Sequence, residues 1–418
     1  MGYKKSIYNF TYTREPDQNV IYNTYTKAVI VLNDEEFAQY QAVSMTDPES
    51  EKALVENGIF IEDNFDEKDF LRYCHYRTKF AHEVLHLIIA PTMDCNFGCP
   101  YCYENRRTGK MTKEIQDGVI AYINKMIGEG VKNLEITWYG GEPLLFPDIV
   151  ESLSRRIIAI AKEHDCVLNM YMVTNGYLLT QELVDLLDEL EIMKVQITID
   201  GMKANHDARR HLRNGKGTFD KILENLKLFQ DSPIRVDIRM NVDNQNCVDY
   251  QDLVTTIAAL DNPNMGVYPS PVEDINKDKV NEVSDFMTQK EFEKFATGLQ
   301  PDDTAPQQSS VMEDRYCFCN AETENCYVID ERGNCYKCWD QVGREEYVCF
   351  NVLDPQSRNY RNITAFMAWD PLADEKCGDC IFLPLCFGGC KFHRMNNHKT
   401  DCGFSFDALK HFVESTYF

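Results

Sequence analysis

Cys95-Asn96-Phe97-Gly98-Cys99-Pro100-Tyr101-Cys102 places three thiols in one short loop with the spacing CxxxCxxC. The loop follows an apolar run, His86 to Ile89, that ends at Ala90-Pro91 and reads as a buried strand. Three thiolates held this tightly can ligate three irons of a cubane [4Fe–4S] cluster and leave the remaining iron open. Zinc alone would favour four protein ligands in a closed site. Such a loop at the carboxyl end of a strand points to an α/β fold whose working end lies there.

Outward from this loop, residues 81–270 alternate strand and helix patterns. Strands are expected at Asn133 to Tyr139, Val167 to Val173, Met193 to Ile199, Ile234 to Met240 and Met265 to Pro269. Helical spacing fills the gaps, at Glu114 to Ile127, Ile149 to His164, Glu182 to Leu190, Phe219 to Phe229 and Tyr250 to Leu260. Strands joined by crossover helices imply a parallel sheet, with chemistry in the loops at the strand carboxyl ends. The polar punctuation falls there: Gly140-Gly141-Glu142-Pro143, Thr174-Asn175-Gly176, Asp200-Gly201 and Asn241. Thr198 and Asp200 alternate along their strand and so share a face, and Arg239 and Asn241 do the same.

The chain has 418 residues, 26% of them charged, and a formal net charge of −24. A surface this acidic repels a nucleic-acid backbone, so no nucleic-acid partner is expected. No apolar signal segment or membrane-spanning run stands out, which predicts no membrane association and a cytoplasmic location. The 17 cysteines are clustered: only Cys74, Cys166 and Cys247 lie outside the first group and a second one between Cys317 and Cys402. Clustered thiols in a reducing compartment read as metal ligands rather than disulfides.

CxxxCxxC with Tyr101 immediately before its last cysteine resembles the signature of the radical S-adenosylmethionine superfamily. The resemblance implies that Cys95, Cys99 and Cys102 hold a [4Fe–4S] cluster whose open iron chelates S-adenosylmethionine. Reductive cleavage then yields a 5′-deoxyadenosyl radical that abstracts hydrogen from substrate. It further implies cofactor contacts at Tyr101, Gly140, Gly141, Glu142, Asn175, Thr198, Asp200, Arg210 and Asn241. His206, Asp207 and Arg210 resemble a DG…HD…R segment of the peptide- and protein-modifying branches.

The second group, Cx13Gx4C from Cys319 to Cys338 followed by Cx2Cx5Cx3C from Cys377 to Cys390 and then Cys402, resembles the SPASM extension of these enzymes. Two auxiliary [4Fe–4S] clusters follow from that likeness, making three in all. Cys377, Cys380, Cys386 and Cys402 would hold one; Cys319, Cys338 and Cys390 would hold the other. Its fourth ligand is open among Cys317, Cys326, Cys335 and a substrate thiolate, with Cys326 favoured. A zinc-stapled domain is the competing reading of this region.

The expected fold is therefore α/β: a partial (β/α)6 radical SAM barrel over residues 81–270, preceded at 1–80 by a small winged-helix-like α+β module. A bridging helix (Glu282 to Leu299) and loop occupy 271–315, and a cysteine-rich SPASM domain occupies 316–418. In the first module Tyr22 to Leu32 is expected to give one or two strands with an exposed edge. Helices capped by Asn33 or Asp34, and spanning Asp47 to Asn57, follow. Many maturases of ribosomally made peptides carry a leader-binding element of this outline. The resemblance thus implies a precursor peptide with a leader as substrate, hydrogen abstraction followed by a Cys thioether or related cross-link, and a flavodoxin- or ferredoxin-like electron donor. As a separate module, residues 1–78 would be removable without loss of the clusters. The alternative is an anaerobic sulfatase maturase forming formylglycine from Cys or Ser. That group has an Asp directly after the Gx4C cysteine, where this chain has Trp339 and then Asp340.

Overall fold

The computed structural model describes residues 2–272, 285–299, 316–396 and 404–418. It divides into two compact units: Met1–Phe80 with Gln308–Thr323 and Ala368–Phe418, and Ala81–Gln307 with Glu324–Met367.

The first unit opens with β1 (Tyr3–Lys5), β2 (Asn9–Glu15), β3 (Gln18–Asn23), β4 (Val29–Leu32), α1 (Asp34–Ala42), α2 (Pro48–Glu56), β5 (Phe60–Glu62) and α3 (Glu67–Lys79). β2, β3 and β4 form an antiparallel sheet in that order, and β1 pairs with β5. Asn33 caps α1 in a full capping box with Glu36, and Asp47 caps α2 ahead of Pro48. The Asn33 cap was expected; Asp47, expected as the first residue of the second helix, is its cap instead. Tyr22 lies on the central strand β3 and is fully buried, so the open edge of this sheet on the Tyr22 to Leu32 side is β4 alone. Gly58 ends the α2 region at φ +67.

The second unit carries one nine-stranded sheet. Its strands and helices are β6 (Val84–Ile89), α4 (Lys113–Gly128), β7 (Asn133–Trp138), α5 (Pro147–Glu163), β8 (Val167–Thr174), α6 (Gln181–Glu189), β9 (Ile192–Thr198), α7 (Lys203–Arg209), α8 (Phe219–Leu226), β10 (Arg235–Val242), α9 (Tyr250–Ala258), β11 (Met265–Pro271), α10 (Gln289–Thr297), β12 (Cys326–Ile329), β13 (Asn334–Tyr336), β14 (Phe350–Asn351) and α11 (Tyr360–Met367). Strands β6 to β11 are parallel and neighbours in chain order, the open arrangement of a partial (β/α)6 barrel. Leu85, Leu87 and Ile89 of β6, with Leu134, Ile136 and Trp138 of β7, join Ile149, Val150, Leu153 and Ile157 of α5 in one core. The alternate strand positions carry polar groups instead: Asn169 donates to Glu135 at 2.7 Å and Tyr268 to Gln196 at 2.6 Å. This period-two split is why helices cover one face of the sheet and polar side chains line the other.

β12 extends the sheet by pairing in parallel with β6, Cys326 opposite His86, and β13 and β14 follow antiparallel. Residues 324–367 thus belong with the barrel strands, whereas 316–418 were expected to form one unit. Four consecutive buried residues, Cys326 to Ile329, supply the reason: this short apolar strand finds its partner in β6. The bridging helix is shorter than expected where described, starting after Thr288, which caps it with Glu291; residues 282–284 and the loop at 300–315 lie outside the described residues.

The first unit closes with α12 (Leu383–Cys386), α13 (Lys391–Met395) and α14 (Phe406–Tyr417). Phe10, Val20 and Tyr22 of the N-terminal sheet share a core with Phe382, Leu409 and Val413. Tyr8 and Leu71 share another with Leu372, Leu383 and Phe387, against which Cys377 and Cys380 pack. The N-terminal module is therefore built into the segment that carries the C-terminal cysteines, not a free-standing appendage.

Candidate active site

The Cys95 loop is fixed from two sides within the second unit. Gly141 donates to the Thr92 carbonyl at 3.2 Å and Glu142 to the Asp94 carbonyl at 2.9 Å, binding the loop to the end of β7. A Cβ on Gly141 would lie 2.2 Å from the Asp94 oxygen, and one on Gly140, which has φ +110, 2.4 Å from the Thr92 oxygen. These glycines are required because the cysteine loop itself fills the space a side chain would take. From the other side, Gly98 donates to His211 at 2.8 Å, Arg213 to Asn96 at 3.1 Å, and Arg213 pairs with Asp94.

Glu142 is fully buried and spends its carboxylate on protein groups. It accepts from the Thr174 hydroxyl (2.7 Å), the Asn175 amide (2.7 Å) and the Leu144 amide (3.0 Å). It thereby ties the end of β7 to the end of β8. Burial raises its pKa, while these donors pull the other way. The Asn175 side chain reaches Asn96 at 2.7 Å and lies 3.9 Å from Cys95 Sγ.

A second network gathers four of the expected contacts. The Tyr101 hydroxyl donates to Asp200, Arg210 donates to Tyr101 at 2.8 Å, and Asn241 lies 3.4 Å from the same hydroxyl. Asp200, fully buried, also accepts the Asn241 amide at 3.1 Å. The side chain of Thr198 takes no part in these networks. His206 accepts the Asp200 amide on Nδ1 (3.1 Å) and meets Thr218 Oγ1 on Nε2 (3.0 Å). Asp207 accepts the amides of Thr218 and Phe219 at the start of α8. The HD pair therefore shapes the loop that presents Arg210.

Several participants had no motif to announce them. Arg209 pairs with Asp243 and lies 3.6 Å from Asp200; both carboxylates are buried. Arg106 donates to the Cys99 carbonyl at 3.1 Å, and its charge faces Cys102, Cys99 and Cys95. Glu104 is buried beside the Tyr103–Tyr139 hydroxyl pair, and burial pushes it up to about 7. The adjacent arginines at 209–210, and the arginines at 106–107 just past the cysteines, were the available signals.

The donor set fits an iron–sulfur cluster: Cys95, Cys99 and Cys102 are unbridged, half-buried thiols, with the Arg106 and Arg210 guanidiniums in electrostatic reach of Cys99. Burial lifts their thiol pKa values, Cys95 to about 12. Ligation by iron removes those protons, and nearby cations favour the resulting anionic assembly.

Among the C-terminal cysteines, Cys319, Cys377, Cys380, Cys386 and Cys390 belong to the first unit, Cys326 and Cys338 to the second, and Cys402 lies outside the described residues. Phe387, Gly388 and Gly389 all take positive φ, so the chain doubles back between Cys386 and Cys390. Cys377 accepts from Arg394 at 3.2 Å. Asp340 turns back on a 3₁₀ turn to within 3.6 Å of Cys338 Sγ, while the Trp339 ring lies tilted against Tyr139, 5.5 Å between centroids.

Fold and site together define an α/β enzyme whose working end is the cysteine-bearing mouth of a parallel sheet. Residues 89–257 match the Radical SAM superfamily, so this part of the chain is a radical SAM domain. The superfamily binds S-adenosylmethionine and a [4Fe–4S] cluster. A cysteine-type anaerobic sulfatase-maturating enzyme of Clostridium novyi is 24% identical over 371 residues, covering 79% of this chain and 94% of that one. Among solved structures, anSMEcpe with bound AdoMet and Cp18Cys peptide has a TM-score of 0.62 at 19% identity, covering 79% of this chain and 96% of the other. Streptococcus suis SuiB bound to its precursor peptide SuiA has a TM-score of 0.54 at 15% identity, covering 94% of this chain and 97% of the other. Both likenesses describe the fold. No helix among the described residues is long and apolar enough to cross a membrane.

Proposed function

We propose that this enzyme is a maturase of a ribosomally synthesised precursor peptide, installing a Cys thioether or related intramolecular cross-link. The observation that carries the reading is the N-terminal α+β module: a small antiparallel sheet with an open β4 edge, followed by two capped helices. An extended leader can add a strand to such an edge. The fold likeness to SuiB, which spans 94% of this chain, supports a shared layout that includes more than the barrel.

Cys95, Cys99 and Cys102 hold the radical cluster in this reading. When bound, the cluster and S-adenosylmethionine supply the 5′-deoxyadenosyl radical that removes a substrate hydrogen. Gly140 and Gly141 admit the cysteine loop, Glu142 holds Asn175 against it, and the Tyr101–Asp200–Arg210–Asn241 network fixes the mouth around the nucleoside, with Thr198 on the same face. The C-terminal cysteines form a SPASM-type region with two auxiliary [4Fe–4S] clusters, one on Cys377, Cys380, Cys386 and Cys402, the other on Cys319, Cys326, Cys338 and Cys390. Low-potential electrons come from a flavodoxin- or ferredoxin-class donor in the cytoplasm.

Sulfatase maturation keeps one specific support: Asp340 is nine-tenths buried beside Cys338 and in electrostatic range of Tyr103 and Tyr139. Co-expression with a short Cys-containing precursor, read by mass spectrometry, separates the two. A loss of two mass units per cross-link, retained after alkylation, supports peptide maturation. Formylglycine on a sulfatase-derived peptide, with an unmodified precursor, overturns it. With three clusters, about twelve irons per chain are expected. Joint replacement of Cys95, Cys99 and Cys102 by Ala should leave about eight and abolish 5′-deoxyadenosine formation.

A further inference from the structure

Within the first unit, His75 of α3 meets Cys317 and Glu322, with one ligand atom from each inside a 4.8 Å span. All three side chains are buried, His75 and Glu322 completely. Cys317 is a free thiol. Neither carboxylate oxygen of Glu322 has a hydrogen-bond partner among the described residues. A buried carboxyl with nothing bound to it is costly as an anion and still costly as a neutral acid. Such a group calls for an explanation.

The neighbouring cations do not provide one. Lys79 is the cation that acts most strongly on Glu322, but through charge alone: its ammonium donates to the Trp369 carbonyl at 2.5 Å. Lys391 and Arg394 influence Glu322 only through space. Hydrogen bonding of His75 Nδ1 with the Tyr316 carbonyl or Cys317 Sγ would occupy that nitrogen, yet leave His75 Nε2 and Glu322 without a partner among the described residues.

The spacing fits a metal. Tetrahedral zinc, with Zn–S about 2.3 Å and Zn–N about 2.0 Å, sets sulfur and nitrogen about 3.5 Å apart. Cys317 Sγ and His75 Nδ1 are 3.6 Å apart. One thiolate, one imidazole and one carboxylate form the borderline N/S/O set that zinc-class divalent ions take, and a thiolate plus a carboxylate neutralise the dication.

We propose that His75, Cys317 and Glu322 form a mononuclear zinc-class metal site, separate from the iron–sulfur clusters, that staples the segment at 316–322 to α3. Its consequence is structural: it fixes the backbone immediately before Cys319 and gives the buried Glu322 its partner.

The test uses full-length protein purified and reconstituted anaerobically in the presence of ZnCl2. Zinc and iron are counted together by plasma mass spectrometry, and zinc K-edge absorption reads the ligand shell. About one zinc per chain with one sulfur and two or three N/O neighbours is expected. The near-isosteric Glu322→Gln should lower zinc occupancy at least tenfold at limiting ZnCl2 with iron unchanged, and Cys317→Ser should remove the sulfur neighbour. Cys74→Ser, a buried thiol on the same helix outside the cluster, should change neither count. Wild-type protein that binds no zinc would overturn the site. So would a Cys317→Ser protein that stays folded by circular dichroism and loses about four irons, because that thiol would then ligate an iron–sulfur cluster.

Discussion

The Thr24 hydroxyl donates to the carbonyl of Ile381 at 2.5 Å, joining residues 357 positions apart inside one unit. It stands next to the shared core in which Phe382 packs between Phe404 and Phe406 and meets Phe10 and Tyr22. The segment between Cys377 and Cys390 has little core of its own and takes this one from the N-terminal sheet. Deleting residues 1–78 should therefore cost the Cys377 group its cluster, or the protein its solubility, rather than leave both intact. The milder Phe382→Ala should cost about 3–5 kcal/mol locally. Iron should fall by about four per chain, with 5′-deoxyadenosine formation preserved. Iron analysis and product chromatography check both.

Gly141→Ala should be far more damaging than its size suggests. The added methyl would meet the Asp94 carbonyl carbon and oxygen at 2.6 and 2.2 Å, both backbone atoms with no rotamer to escape into. The cysteine loop must then move, and cluster occupancy at Cys95 should drop along with S-adenosylmethionine cleavage. Gly128→Ala, on α4 with open space around its Cβ position, serves as the control and should gain about 0.5–1 kcal/mol. Electron paramagnetic resonance of the reduced cluster reads the first effect, thermal unfolding the second.

Acid should destabilise the barrel through His206. Burial first, and the Arg210 charge second, lower its pKa to about 4. In the neutral ring Nδ1 accepts the Asp200 amide, so protonation would set N–H against N–H. The unfolded chain binds this proton near pH 6.5, the folded one only near 4. The contribution to stability is complete above pH 6.5 and is lost as pH falls from there toward 4, by about 3 kcal/mol. His86, half-buried on β6 with its pKa lowered by desolvation likewise to about 4, adds a parallel loss of the same sign. Denaturant midpoints measured between pH 7.5 and 5 should fall, and His206→Gln should flatten the slope while lowering the plateau.

What was legible in the sequence had a local period or a fixed spacing. The βα alternation of 81–270 announced the parallel sheet, because each strand carries its apolar face at period two and each helix at its own. The strand-end residues Asn175, Asp200 and Asn241 stood out because they interrupt apolar runs. β12 was missed: Cys326-Tyr327-Val328-Ile329 is four residues long, and its partner β6 lies more than two hundred positions away. α3 was missed because its amphipathic pattern is blurred by exposed Phe70, Tyr73 and Tyr76. The Arg209–Asp243 pair joins the end of α7 to the loop after β10, which only the fold brings together. Pairings at long range leave no periodic trace in the chain.

Asp340 provides the last prediction. One residue beyond the position expected for an acid, its side chain ought to have pointed elsewhere, yet the 3₁₀ turn Trp339–Gln341 returns the carboxylate to 3.6 Å from Cys338 Sγ. Trp339, at the expected position, is 40% exposed and lies against Tyr139. If Asp340 takes a substrate proton after hydrogen abstraction, Asp340→Asn keeps the side-chain volume and removes only the basicity. Cluster content and uncoupled 5′-deoxyadenosine formation should stay within about twofold, while modified product per deoxyadenosine falls by at least tenfold, roughly 1.4 kcal/mol or more at the coupled step. A parallel loss of iron, deoxyadenosine and product would instead assign Asp340 to holding the Cys338 turn. Trp339→Phe, which retains an aromatic surface against Tyr139, should leave the ratio of product to deoxyadenosine unchanged in either case. Running both variants against the precursor peptide and a sulfatase-derived peptide then shows which substrate depends on the acid.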